Sequence, residues 1–297
     1  MNLKKFTPII AKCFQGQTKL GVEEGGIFLY NNLFYEKTRK KNISIEKKEF
    51  DTQVGYEKLY KTCATTNHPL VLGGDHSIGA SSVFASIKKY GSNTTVIWID
   101  AHADINTHES SITKNTHGMP LAYATGLEKC DYIKMFDEEY NYSKSNDIIS
   151  FNKIIYVGIR DLDQFEKDII SRYNIKHYTP QQTIEYINTT SDVIHISFDV
   201  DALDPSELNS TGTIAENGLK YLDVKNIINH SVKKDNLIAL DIVEFNPKLG
   251  DVKKSLETIK KIFTNNNQFT DFSNILPFYI NDPTNHKKVN IFNKYII

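Results

Sequence analysis

Thr95-Val96-Ile97-Trp98-Ile99-Asp100-Ala101-His102-Ala103-Asp104 is the stretch on which the reading of this chain turns. Its first half is apolar or β-branched, without the polar alternation of a half-exposed strand, and reads as a strand buried on both faces. Two carboxylates and an imidazole then occupy every second residue. In an extended backbone residues i, i+2 and i+4 project from one side, which predicts that Asp100, His102 and Asp104 converge on one point at the strand's carboxyl end. Such a cluster needs a cation.

Similar runs recur at Phe6–Ala11, Pro69–Leu72, Ile154–Ile159, Val193–Phe198 and Leu237–Val243. Between several of them lie amphipathic helical patterns, at Ala80–Lys89, Glu166–Arg172, Leu222–Val232 and Val252–Phe263. Apolar strands linked by helices predict an α/β fold whose parallel sheet is covered on both faces, with ligands at the carboxyl ends of the strands. We read residues 1–297 as one domain, 128–152 as containing an exposed connection, and the tail from Thr264 as partly docked.

A second copy of the acidic pattern, Asp199-Val200-Asp201, follows the run Val193–Phe198, and Gly73-Gly74-Asp75-His76-Ser77 places another imidazole after Leu70-Val71-Leu72. If the three loops meet, the site holds His76, Asp100, His102, Asp104, Asp199 and Asp201. A lone Asp after a strand is ordinarily a cap or turn residue, and a lone His a satisfied polar group. The recurrence after three strands argues against that reading here. Four crowded carboxylates repel and raise one another's pKa values, whereas two divalent ions balance them. Carboxylate and imidazole ligands without cysteine favour a harder ion such as Mn²⁺ over a structural zinc, and ligand chemistry alone leaves Zn²⁺, Fe²⁺ and Co²⁺ open.

The composition fits a soluble enzyme: 297 residues, 40% of them hydrophobic, are enough for a large core. A net charge of -1 gives no pull toward nucleic acid or an anionic membrane. Cys13, Cys63 and Cys130 form no CxxC pair and read as small buried hydrophobes. No apolar segment approaches the roughly 18 residues of a membrane span, and Lys12 cuts short the apolar run near the N-terminus, so no signal peptide is read. The expected location is cytoplasmic.

The motifs Gly74-Asp75-His76-Ser77, Asp100-Ala101-His102-Ala103-Asp104 and Ser197-Phe198-Asp199-Val200-Asp201-Ala202-Leu203-Asp204-Pro205 resemble the three signatures of the ureohydrolases, the arginase, agmatinase and formiminoglutamase family. The resemblance runs from Gly21-Val22-Glu23-Glu24-Gly25 to Asp241-Ile242-Val243-Glu244-Phe245-Asn246-Pro247. It implies a three-layer αβα fold with an eight-stranded parallel sheet, two Mn²⁺ ions per chain on the six residues named above, and a homo-oligomer, trimer or hexamer. Leu222 and Asp223 stand where trimeric members often carry Arg-Glu, so the salt bridge between subunits known there is not expected.

The loop after the first metal motif points to arginine. Asn106, Thr113 and Asn115 fall where arginases place the polar groups that hold the α-carboxylate, and Asp163 and Glu166 where they place carboxylates for the α-amino group. Thr213, in Thr211-Gly212-Thr213, matches a further substrate-binding position. Lys114 replaces a family glycine, which alters the loop if that glycine has φ > 0, or brings a positive charge near the substrate carboxylate. Ile214 and Asn217 replace a usual Pro and Gly.

By this resemblance the chain is expected to hydrolyse L-arginine to L-ornithine and urea through attack of a hydroxide bridging the two ions. Glu244 would orient the guanidinium, Asp104 would ligate metal and accept a hydrogen bond from the tetrahedral intermediate, and His117 would move protons. Two alternatives stay open: a ureohydrolase for another guanidino or amidino substrate, of agmatinase or guanidinobutyrase type, and a metal-binding relative without turnover. His195 shares the parity of Asp199 and Asp201 but lies deeper in its strand, and reads as a satisfied core group.

Overall fold

The structure, a computed structural model, describes residues 3–34, 42–51, 54–129 and 148–264. Its strands are β1 (Thr7–Ala11), β2 (Ile43–Ile45), β3 (Pro69–Leu72), β4 (Thr94–Ile99), β5 (Ile154–Val157), β6 (Lys176–His177), β7 (Val193–Asp199) and β8 (Leu237–Val243). They form one eight-stranded sheet in the order β2-β1-β3-β8-β7-β4-β5-β6, with every pairing parallel.

Side-chain alternation along each strand feeds two cores. Val96 and Trp98 of β4 pack on one face with Val71, Phe84 and Tyr156, while Ile97 and Ile99 pack on the other with Leu72 and Phe198. The helices Val54–Thr65, Gly79–Tyr90 and Gln164–Tyr173 bury residues in the first core. Those at Pro180–Thr189, Tyr221–Ser231 and Val252–Phe263 bury residues in the second. The predicted αβα layering follows from these two sets.

All six strands and all four helices read from the sequence are present, with ends shifted by one to two residues. Phe6 precedes β1, and β5 stops at Val157, before Gly158 turns the chain at φ 92. The two strands that went unread, β2 and β6, are the sheet's two edges. At three and two residues they are too short to show a period, and each has a single neighbour. Local chemistry sets the helix starts. Thr179 accepts from the N–H of Gln182 at 3.2 Å ahead of Pro180, and Asp251 accepts from that of Lys254 at 3.0 Å.

His195 is buried as expected, hydrogen-bonded through Nδ1 to Ser86 Oγ at 2.8 Å and through Nε2 to Asp241 Oδ2 at 2.9 Å. Ser82 Oγ also donates to that carboxylate. Cys13 and Cys63 are buried and free. Cys130, residues 130–147 of the expected exposed connection, and the tail 265–297 lie outside the described residues. Among the described residues no helix is long and apolar enough to cross a membrane.

The polar layer between the helix Gly79–Tyr90 and the sheet yields a stability prediction. Asp241→Leu leaves the His195 Nε2 without its partner in the core and should cost about 1–3 kcal/mol in urea unfolding. A loss under about 1 kcal/mol, the net worth of one ordinary hydrogen bond, would show that the pair contributes little.

Candidate metal centre and substrate site

The loops that leave β3, β4, β7 and β8 come from four adjacent central strands, so their side chains meet above the middle of the sheet. The expected ligands converge, although not by extended alternation. β4 ends at Ile99, Asp104 has φ 52, and Val200–Ala202 form a 3-10 turn. The operative device is an Asx turn. Asp100 Oδ1 accepts from the N–H of His102 at 2.8 Å, and Asp199 Oδ1 from that of Asp201 at 2.8 Å. In each case one oxygen folds the loop and the other, Oδ2, is left to face the centre. The Asp-x-His and Asp-x-Asp spacings therefore produce convergence by turning the chain.

His76 Nδ1 lies 3.0 Å from Asp100 Oδ2, 3.1 Å from Asp104 Oδ2 and 3.3 Å from Asp199 Oδ2. His102 Nδ1 lies 3.4 Å from Asp100 Oδ1 and 3.2 Å from Asp201 Oδ2. These atoms define two ligand sets, His76-Asp100-Asp199 and Asp100-His102-Asp201, each within 4.8 Å and sharing Asp100. His76 Nδ1 and Asp100 Oδ2 are buried, close together and yet without a hydrogen-bond partner. Lone pairs aimed at a common point, rather than at each other, give that result and fit a divalent cation.

The electrostatics agree. Burial and the charges of Asp201 and Asp100 push Asp199 well above the usual carboxylate range, and burial with Asp100 pushes Asp201 up to about 6. Burial and Asp100 likewise raise Asp104. Burial opposes ionisation of Asp100 too, but the imidazoles of His102 and His76 beside it outweigh it and hold that group low. Burial lowers and the surrounding carboxylates raise both imidazoles, and the carboxylates win. Protons are being drawn in where positive charge is needed.

Two residues overlooked in the sequence hold the His76 ring. Its Nε2 bonds Ser197 Oγ at 2.9 Å, and the ring stacks on Trp98 with centroids 4.0 Å apart at 3°. Both were legible by parity, two residues before Asp199 and Asp100 on β7 and β4.

Glu244 follows β8 with φ 65. Its Oε1 accepts from the His76 N–H at 2.8 Å and lies 3.4 Å from His117 Nδ1, while Oε2 accepts from Gln17 Nε2. Burial lowers the His117 pKa, but the Glu244 hydrogen bond and the charges of Glu244, Asp104 and Asp75 overcome it and raise it to about 9.

Of the substrate residues, Asn106, Asp163 and Glu166 are brought together. Asn106 Nδ2 donates to Asp163 Oδ2 at 2.7 Å, and Asp163 and Glu166 form a reciprocal capping box at the start of the helix Gln164–Tyr173. Burial and the charges of Asp104 and Asp163 lift Glu166 to about 8. Thr113 Oγ1 accepts from the N–H of Asn115 at 3.3 Å within one loop. Thr213 is half-buried in the loop 211–213, with no side-chain hydrogen bond to the others among the described residues. Lys114 takes φ 61, so the loop keeps a glycine-like backbone, and its ammonium donates to the carbonyls of His108 and Glu109. Asn217, also at φ 61, does the same with a residue that tolerates the left-handed region.

The sequence matches the model of the arginase family over residues 16–265. The chain belongs to the arginase family. An arginase of Entamoeba histolytica is 33% identical over 301 residues, covering 89% of this chain and 99% of that protein. One from Coccidioides immitis is 37% identical over 224 residues, 70% of this chain and 68% of that one. The crystal structure of the Entamoeba histolytica arginase in complex with L-ornithine superposes with a TM-score of 0.76 at 31% identity, covering 89% of this chain and 99% of that one. The Bacillus subtilis arginase superposes at 0.74 with 27% identity, covering 89% and 99%. As a member of the arginase family the chain is a hydrolase, and its His/Asp cluster is able to bind metal.

Two variants test this geometry. Ser197→Ala removes one of the two contacts on the His76 ring and should weaken divalent-metal binding about 10- to 100-fold in a competition titration; affinity within twofold of wild type would show that Ser197 does not support the site. Lys114→Gly relieves the left-handed lysine and should stabilise the protein by about 1 kcal/mol, read as a higher midpoint of thermal unfolding. An unchanged or lower midpoint would mean that the ammonium's carbonyl contacts outweigh the backbone cost.

Proposed function

We propose that this chain hydrolyses L-arginine to L-ornithine and urea with two Mn²⁺ ions. The observation that carries this reading is the pair of ligand sets sharing Asp100, together with Glu244 bonded to the His76 backbone and the joined Asn106-Asp163-Glu166 group. His76, Asp100, Asp104 and Asp199 would hold one ion, and Asp100, His102 and Asp201 the other. Bound there, the pair would supply a hydroxide nucleophile near neutral pH and a Lewis acid.

The remaining work falls to the chain's own side chains. Glu244 offers a buried negative charge that orients the guanidinium over the ligand cluster. Asn106, Thr113 and Asn115 provide hydrogen-bonding groups for the α-carboxylate, Asp163 and Glu166 receive the α-amino group, and Thr213 offers a further substrate contact. In the reaction the oxygen of water bonds to the guanidinium carbon, the bond from that carbon to Nε breaks, and the departing amine takes a proton. Asp104 accepts a hydrogen bond from the tetrahedral carbon's substituents. His117, raised to about 9 by its carboxylate neighbours, holds a proton at neutral pH for the amine.

Urea release tests the reading, with the protein stripped of metal, reloaded with Mn²⁺ and offered L-arginine or agmatine. Activity on arginine that disappears with the metal is expected. Activity on agmatine alone would overturn the amino-acid clamp, and bound Mn²⁺ with no urea from either substrate would overturn the hydrolase assignment. His117→Ala should lower kcat by about 10²-fold or more with manganese content intact; loss of manganese would show that its role is wrongly assigned.

A further inference from the structure

Gln17 lies outside both the ligand set and the amino-acid clamp, yet its side-chain amide reaches Glu244. That carboxylate is 2% exposed on a residue with a left-handed backbone, so its orientation depends on its surroundings. The surroundings include a slot built for Gln17. A Cβ on Gly212 would lie 2.6 Å from Gln17 Oε1. The N–H of Gly16 donates to Asp75 Oδ2 at 2.8 Å, and its carbonyl accepts from the N–H of His117 at 3.2 Å. A Cβ on Gly16 would meet Asp75 Oδ1 at 2.5 Å and the His117 nitrogen at 2.9 Å. Lys19 Nζ donates to the Gly212 carbonyl. The loop is thus tied to three others around the centre, and the amide arrives at Glu244 already ordered.

We propose that Gln17 is a positioning residue, which fixes the Glu244 carboxylate for the substrate guanidinium in a space left by Gly212. The proposal rests on the arginine-hydrolase reading. A neutral amide suits the task because it donates a hydrogen bond without cancelling the charge that the guanidinium needs. A lysine or arginine there would compete with the substrate. A carboxylate has roughly four lone-pair positions, and Gln17, the His76 N–H and His117 engage three. The longest contact, His117 at 3.4 Å, is the one a guanidinium N–H takes over, which releases His117 toward the departing amine.

The experiment is a mutant cycle on the Mn²⁺-loaded protein with L-arginine. Gln17→Met keeps the side-chain length and removes the donor. It should lower kcat/KM about 10- to 100-fold, mostly in kcat, with manganese content and unfolding midpoint at wild-type values. Gly212→Ala should displace the amide and give the same kinetic signature. Gln17→Ala combined with Gly212→Ala should be no worse than Gln17→Ala alone, because the atom that would clash is gone. Additive losses, or kcat/KM within twofold of wild type in Gln17→Met, overturn the proposal alone. Wild-type protein that releases no urea from L-arginine overturns the hydrolase reading and this role with it.

Discussion

Four carboxylates, Asp100, Asp104, Asp199 and Asp201, are buried around one point, and mutual repulsion in a medium of low dielectric is the constraint to which the rest of the molecule responds. Two imidazoles sit among them, backbone N–H groups of His102 and Asp201 take up one oxygen of Asp100 and of Asp199, and the remaining oxygens face inward. No arrangement of protein groups alone satisfies so much negative charge. The upward displacement of Asp199 and Asp201 and the orphaned Nδ1 of His76 express the same deficit in different ways.

Part of the backbone strain lies where that constraint acts. Asp104 and Glu244 are both non-glycine residues with positive φ, and both border the cluster. Left-handed backbone costs about 1–2 kcal/mol per residue, and it is sustained here by tertiary bonds. The Glu244 N–H donates to the Gly74 carbonyl at 2.8 Å, and the Asp104 carbonyl accepts from the Leu121 N–H at 3.0 Å. Gly74 can approach only because it has no side chain, since a Cβ there would lie 1.7 Å from the Cys13 carbonyl oxygen. Lys114 and Asn217 belong to a different case, in which residues with side chains inherit a conformation that the loop requires.

Much of this was written in the linear sequence. Apolar runs and helical periods located the central strands and the helices, because burial on both faces leaves a continuous signal. The edge strands β2 and β6 left none, being short and half-solvated. The meeting of these side chains was legible from spacing, but the extended backbone expected to cause it is absent: a period of two is shared by an extended strand and by the Asx turn that Asp100 and Asp199 form. Ser197 and Trp98 carried a parity signal that went unused. Gln17 carried no signal, since its importance comes from Gly212 and Glu244, which lie some two hundred positions away and meet it only in three dimensions. Glu166, expected from the sequence as a contact for the α-amino group, also closes the capping box of its helix with Asp163.

The order of the sheet has a further consequence. The strands β3, β8, β7 and β4, whose loops form the centre, are consecutive neighbours in its middle, while β2 and β6 close its two sides. Opening of an edge strand breaks one ladder and reaches no ligand, so fraying at the margins, or inserted chain there, leaves the reacting geometry undisturbed. Cations captured at the centre would instead cross-link the loops of the four middle strands. Metal bound there would therefore add to the resistance of the whole fold to unfolding, by an amount that rises with metal concentration.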